Sequence, residues 1–284
     1  MKCLKKEITN RELRDKLTNI DYIERQIHDY SVALGRYIVN GKRYHAELVG
    51  SGTLVQIAGK YGILTAQHVI RELLKSETFL ISVTSYRHRC EVERNNIDVI
   101  ELPKPSKRAE IPDLAFVLIC GNELTTIQAK KPFWNMSYWK GKIESDHVFS
   151  VNSVWIISGN PGVYTETEGP SSRALEAKCF LNELGYTCIK REFTEGEFDY
   201  LEAEISYKPE TKIPKDFGGF SGGGLWQIPI SESQDGSLQA SNPILSGVAF
   251  SQTKIIENKR GIICHGRNSI YKVLHNIVEQ TYSH

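Results

Sequence analysis

Residues 218–226 read Gly-Gly-Phe-Ser-Gly-Gly-Gly-Leu-Trp, and the apolar run Leu225-Trp226-Gln227-Ile228 follows directly. A serine hydroxyl is a poor nucleophile until a base takes its proton. Glycines on both sides of Ser221 permit backbone conformations closed to other residues and let another chain approach closely. A tight turn of this kind aims the amides of Gly219 and Ser221 at one point, the arrangement that stabilises an oxyanion. A nucleophile elbow carries a similar glycine–serine pattern but needs a helix after it. Here three glycines followed by Leu225-Trp226 restore a strand, which points to a β architecture. The plainer alternative is a glycine-rich turn between two strands.

The rest of the chain has the same β texture. Beyond Tyr30, short apolar runs alternate with glycine and polar turns. Strands are expected at 32–39, 45–49, 52–58, 61–66, 78–84, 88–93, 97–102 and 113–120. A second series is expected at 153–158, 176–181, 186–193, 198–206, 223–228, 244–250 and 261–265. Val, Ile, Thr, Tyr and Phe dominate these runs, and turn signals such as Ala58-Gly59-Lys60 separate them. Many short strands without long helices between them indicate an all-β sandwich or barrel. The stretch 121–150, with Lys130-Lys131-Pro132, Phe133, Trp134 and Trp139, reads as a crossing between the two series. Surface loops are expected at 103–112, 160–173, 207–220 and 230–242.

Helices bracket the strands. Leu13, Leu17, Ile20, Ile23 and Ile27 recur at helical spacing, so a helix is expected over about Leu4–Tyr30. Its apolar stripe either lies on the domain behind it or docks a regulatory protein partner. Ile270, Val273, Leu274 and Ile277 mark a closing helix over 270–281.

Composition narrows the class. The chain has 284 residues, 40% hydrophobic and 24% charged, as in an ordinary globular protein long enough for one large or two small domains. Its formal net charge of +1 lacks the basic excess of a nucleic-acid binder. No apolar run is long enough to cross a membrane as a helix. The opening Met-Lys-Cys-Leu-Lys-Lys-Glu has charge where a leader would be apolar, so a cytoplasmic location is expected. Cys3, Cys90, Cys120, Cys179, Cys188 and Cys264 are scattered, which fits reduced thiols better than disulfides or a zinc site. Neither a phosphate-binding loop nor an HExxH pair is present, and Cys264-His265 stands without ligand partners at zinc spacing. No cofactor or metal is implied.

Two further segments carry chemistry. In Gly62–Val69, Gly-Ile-Leu-Thr-Ala-Gln-His-Val, an apolar strand ends in small residues and then His68. A strand end at a cleft is where a general base can be both rigid and open to solvent. Taken alone, His68 is more often a structural histidine that satisfies a backbone group at a strand end. In Ile111–Ile119, Asp113 follows Pro112 and opens an apolar strand. A half-buried carboxylate there needs a partner. It is either a turn cap or the orienting partner of His68.

The order His, Asp, Ser is that of the chymotrypsin group. Thr65-Ala66-Gln67-His68-Val69, Asp113-Leu114-Ala115-Phe116 and Gly219-Phe220-Ser221-Gly222-Gly223-Gly224 resemble the three signature segments of trypsin-like serine peptidases, over residues 32–281. The resemblance implies an all-β, chymotrypsin-like fold of two packed six-stranded antiparallel barrels. An N-terminal helical extension (1–30) would precede a first barrel (31–130) with His68 and Asp113. A second barrel (131–284) would hold Ser221 and end in the C-terminal helix. It further implies a His68–Asp113–Ser221 triad and an oxyanion hole at Gly219 and Ser221. Lys215 and Asp216 would lie at the base of the primary pocket. Gly247, Phe250 and Ser251 would form one wall. Another would be Gly261–His265, where His265 could favour an acidic or amide side chain, although a histidine on a strand edge is more often structural. A protein or peptide substrate would lie extended along residues 246–252.

Two departures bear on activation. Val69 stands where trypsin has a cysteine. Phe220 stands where the secreted animal enzymes carry an aspartate that pairs with a new N-terminus. Activation by that route is therefore not expected. The site is either preformed or ordered by a partner acting on a loop such as 207–220. The expected function is a cytoplasmic serine endopeptidase, similar to bacterial cytoplasmic members of the superfamily. The rival is a protease-like scaffold that binds peptide and hydrolyses little.

Overall fold

The computed structural model describes residues 16–40, 43–83, 89–102, 112–144, 152–162, 166–167, 175–176, 178–179, 183–207 and 217–283. The chain is mostly β, built as one closed barrel and one half-barrel sheet. This is compatible with a chymotrypsin-like fold.

The half-barrel comes first. Its strands are β1 (Ser31–Asn40), β2 (Arg43–Ile57), β3 (Lys60–Thr65), β4 (Thr78–Ser82), β5 (Arg89–Glu93), β6 (Ile97–Glu101) and β7 (Ala115–Ile119). They pair in the order β5-β4-β1-β2-β3-β7-β6. A closed six-stranded barrel was expected; among the described residues the edge strands β5 and β6 do not pair with each other. The 3-10 turn Arg94–Asn96 joins them, and its backbone is used by neighbours. Arg94 N–H donates to Glu77 O at 2.9 Å, and Asn96 O accepts from Cys120 N–H at 2.9 Å.

The two strands expected at 45–49 and 52–58 are one, β2, with a register shift where Leu34 and Gly35 face Gly50 and Leu48. Gly50-Ser51-Gly52 is thus a bulged passage, not a break. A Cβ on Gly50 would strike both methyls of Val69, so the glycine serves close packing under the helix that carries His68. The core of this sheet is made by Val32, Leu34, Leu54, Ile63, Phe79 and Val117 among others.

The stretch expected to be an irregular crossing contains real elements: α3 (Gly121–Gln128), β8 (Trp134–Asn135) and α4 (Met136–Glu144); α1 and α2 are Ile20–Tyr30 and Gln67–Leu73. β8 pairs in parallel with β2, and Asn135 Oδ1 accepts the Tyr138 N–H at 2.9 Å to start α4.

The second sheet closes. β9 (Ser153–Gly159), β10 (Glu183–Glu195), β11 (Phe198–Ser206), β12 (Gly224–Glu232), β14 (Ile244–Gln252) and β15 (Lys259–His265) form a six-strand ring because β12 pairs with β9 as well as β14. A short β13 (Leu238–Ala240) flanks β12. Of the strand expected at 176–181, Lys178–Cys179 pairs with Glu166–Thr167, and Leu175–Glu176 adds to β2; the remainder lies outside the described residues. Ile157, Leu201, Phe217, Phe220, Leu225 and Ile262 fill this barrel. A π-helical turn, Asn268–Leu274, runs into α5 (His275–Tyr282) and ends the fold.

Of the helix expected over Leu4–Tyr30, the described part is Ile20–Tyr30, with Lys16 also helical; Met1–Asp15 lie outside the described residues, Leu13 with them. Leu17 forms a bridge with Leu238 instead of a helical turn. Asn19 then spends its amide on the barrel, accepting from Ala240 N–H at 2.9 Å and donating to Ala240 O at 2.7 Å. Ile20, Ile23 and Ile27 are buried, each contributing roughly 1.5–3 kcal/mol before entropy is charged. At the other end Lys131 Nζ donates to the carbonyls of His28, Asp29 and Ser31 at 2.9, 3.2 and 2.7 Å. Tyr30 stacks on Trp226 and meets Trp134 edge-on, with centroids 5.7 and 5.4 Å apart. The apolar stripe is thus spent on the chain's own core, which leaves Tyr22 and the polar face outward. Among the described residues no helix is long and apolar enough to cross a membrane.

Candidate functional site

His68 does not end a strand. β3 stops at Thr65, and His68 sits in the first turn of α2. Val69, Ile70 and Leu73 pin α2 to the half-barrel core, so the imidazole is held on a rigid element while about half of it stays exposed (48%). Gln67 and Arg71 on the same helix bond Glu101.

Asp113 lies just before β7, between buried Pro112 and Leu114. Its carboxylate holds His68 at two points. Oδ1 accepts the His68 backbone N–H at 2.8 Å, and Oδ2 pairs with Nδ1 of the ring. With Nδ1 as the donor, Nε2 is left as the basic nitrogen. Burial pushes the Asp113 carboxyl up, but the hydrogen bonds from the His68 ring and backbone outweigh it and hold the group below its ordinary value. The aspartate is therefore ionised at neutral pH.

Ser221 is half-buried in a loop seated on β2 and the end of β3, beside the start of α2. Ser51 N–H donates to Ser221 O at 2.8 Å, and a Cβ on Gly50 would touch both Ser221 O and Val69, next to His68. Two turns shape the loop: Phe220 N–H donates to Phe217 O at 2.9 Å, and Gly223 N–H to Phe220 O at 2.8 Å. Gly222 N–H donates to Ala249 O at 2.7 Å. Among the described residues the N–H groups of Gly219 and Ser221 have no acceptor, and neither does the Ser221 hydroxyl have a partner. Gly219 has φ +93°, a backbone state that L side chains rarely adopt, and a Cβ there would run into Asn160 O. Phe220 is buried against Phe217, centroids 5.1 Å apart, and against Gly159. Apolar packing thus fills the position just before Ser221.

The remaining expected site residues fall differently. Lys215 and Asp216 lie outside the described residues. Gly247 is buried inside β14, where a Cβ would strike His265 O. Phe250 is half-buried and Ser251 exposed. His265 faces no cleft. It is 0% exposed, enclosed by Phe250, Tyr200 and Phe198 with ring centroids at 4.6, 5.1 and 6.4 Å. Among the described residues neither of its ring nitrogens has a partner. It therefore presents no surface to a substrate pocket. Burial pushes its pKa down to about 4, against the opposing pull of Asp113 and Asp199.

Three residues of this site carried no warning in the sequence reading. Ser51, Thr65 and Asn160 are buried polar side chains that brace the serine loop from both halves. The run Gly50-Ser51-Gly52 was the available signal: small residues in mid-strand mark a close backbone approach. Among the described residues no group of His, Cys, Asp and Glu is placed to hold a metal ion. No protein-family model matches the chain, and no curated protein matches it.

Proposed function

We propose that the chain is a trypsin-like serine endopeptidase. The observation that carries this reading is the two-point hold of Asp113 on His68, combined with a serine loop whose Gly219 and Ser221 amides have no acceptor among the described residues. In this reading Ser221 Oγ, which no hydrogen bond holds among the described residues, turns toward Nε2 of His68. As Oγ bonds to the scissile carbonyl carbon, its proton passes to Nε2. The carbonyl oxygen takes the charge and is met by the two amides. The C–N bond then breaks, and the proton on His68 goes to the departing amine. Water repeats the sequence on the acyl-enzyme and restores Ser221. Asp113, kept ionised, balances the imidazolium in both halves.

The substrate strand can be narrowed. Over Ile244–Val248, β14 pairs with β12, so that side is closed. Beyond Ala249, among the described residues, β14 pairs with β15 at Ser251 and Gln252 and has no strand on the side nearer Ser221 at Phe250 and Ser251. An extended peptide would add there as a strand. Among the described residues the free thiols Cys90, Cys120 and Cys264 suit a reducing, cytoplasmic compartment. A regulatory protein engaging α1 would meet its polar face and Tyr22.

A fluorophosphonate probe tests the reading against the scaffold alternative. Labelling of the wild type that vanishes in Ser221→Ala and His68→Ala is the expected result. A wild type left unlabelled under every condition would make the chain a peptide-binding scaffold.

A further inference from the structure

Three successive peptide groups in the serine loop have their carbonyls tied down, and the ties come from both halves of the molecule. The peptide between Gly218 and Gly219 is held by Gly162 N–H, which donates to Gly218 O at 2.7 Å. The next is held by the Ser51 hydroxyl, which donates to Gly219 O at 2.6 Å. The third is held by Gly223 N–H on Phe220 O. In a planar trans peptide the C=O and N–H point in opposite directions. Fixing the carbonyls of Gly218 and Phe220 therefore turns the N–H groups of Gly219 and Ser221 to the other side, where neither meets an acceptor.

Ser51 is committed throughout. Its hydroxyl accepts the Asn160 N–H at 2.8 Å, which orients its own proton toward Gly219 O. Its N–H donates to Ser221 O, and its C=O accepts from the Thr65 hydroxyl at 2.7 Å. Ser51, Thr65 and Asn160 are all at most 2% exposed, so a broken bond here is not replaced by bulk water.

We propose that the Ser51 hydroxyl and the Gly162 N–H form a latch that presets the two-amide site, so that neither chain cleavage nor a partner is needed to build it. This rests on the peptidase reading. Ser51 and Gly162 are positioning residues, since they act through the loop and not on the substrate. Ser51→Ala leaves Gly219 O and Asn160 N–H unpaired. Gly162→Pro deletes the donor, whereas Gly162→Ala keeps it, and a Cβ there comes no closer than 3.4 Å to Gly218 O.

The test uses the full chain and two readouts. The first is the rate of fluorophosphonate labelling together with kcat and KM on a peptide substrate. Ser51→Ala and Gly162→Pro should label roughly 10- to 100-fold more slowly, with the loss in kcat and KM nearly unchanged. Gly162→Ala should recover most of the rate lost in Gly162→Pro. The second is hydrogen exchange of the peptide spanning 217–224, which should speed up in Ser51→Ala and Gly162→Pro more than in peptides elsewhere in the fold. Exchange and labelling both at wild-type values in these two variants would overturn the latch. An unlabelled wild type would overturn the peptidase reading alone, and the exchange data would still decide the latch.

Discussion

His265 makes the fold acid-sensitive in a way that one substitution should remove. The ring is wholly buried among Phe198, Tyr200 and Phe250, and both nitrogens are unpartnered among the described residues. The charged groups acting on it are Asp113 and Asp199, whose pull toward the imidazolium is weaker than the burial penalty, so the folded pKa falls from 6.5 to about 4. Between these two values the unfolded chain binds a proton that the folded chain refuses. Stability therefore holds above pH 6.5 and declines as the pH falls toward 4. The span corresponds to about 3 kcal/mol. His265→Phe keeps an aromatic ring in the cage and deletes the titration. Urea unfolding of both proteins, stepped from pH 8 to pH 4, isolates the histidine, because the other carboxylates are common to the pair. The wild type should lose about 3 kcal/mol more than the variant over that range. At pH 8 the variant should be at least as stable, since two orphaned polar atoms leave the core. Parallel curves for the two proteins would refute the reasoning: they would mean that the folded protein accepts the proton on His265 at no cost.

Two other substitutions test the hold on the imidazole and the seat of the N-terminal helix. Asp113→Asn should slow fluorophosphonate labelling by about 10³- to 10⁴-fold, because the amide favours the wrong tautomer of His68; a loss under tenfold would show that the backbone contact alone orients the ring. Lys131→Met strips three carbonyls at the end of α1 of their shared donor and should cost about 2 kcal/mol in urea unfolding, with an unchanged midpoint counting against the lysine as a cap.

Much of this protein was readable from the chain alone, because periodicity and turn chemistry are local. The short apolar runs in Lys60–Thr65 and Ala115–Ile119, bounded by turn signals, gave strands, and the spacing of Ile20, Ile23 and Ile27 gave a helix face. The chemical types at His68, Asp113 and Ser221 were likewise visible, as was the glycine-rich turn. What a residue faces across the fold is set by register and packing between distant segments, and no local pattern encodes that. Only the tertiary structure closed the second sheet, by pairing β12 with β9, and left the first open at the Arg94–Asn96 turn. It joined two expected strands into β2, since the glycines at 50 and 52 answer to Val69 and Ile63 in other elements. It also turned His265 into an aromatic cage instead of a substrate pocket. Ser51 shows the limit most plainly: its neighbours in sequence are two glycines, and its bonding partners Asn160, Gly219 and Ser221 are brought to it only when the two halves pack together.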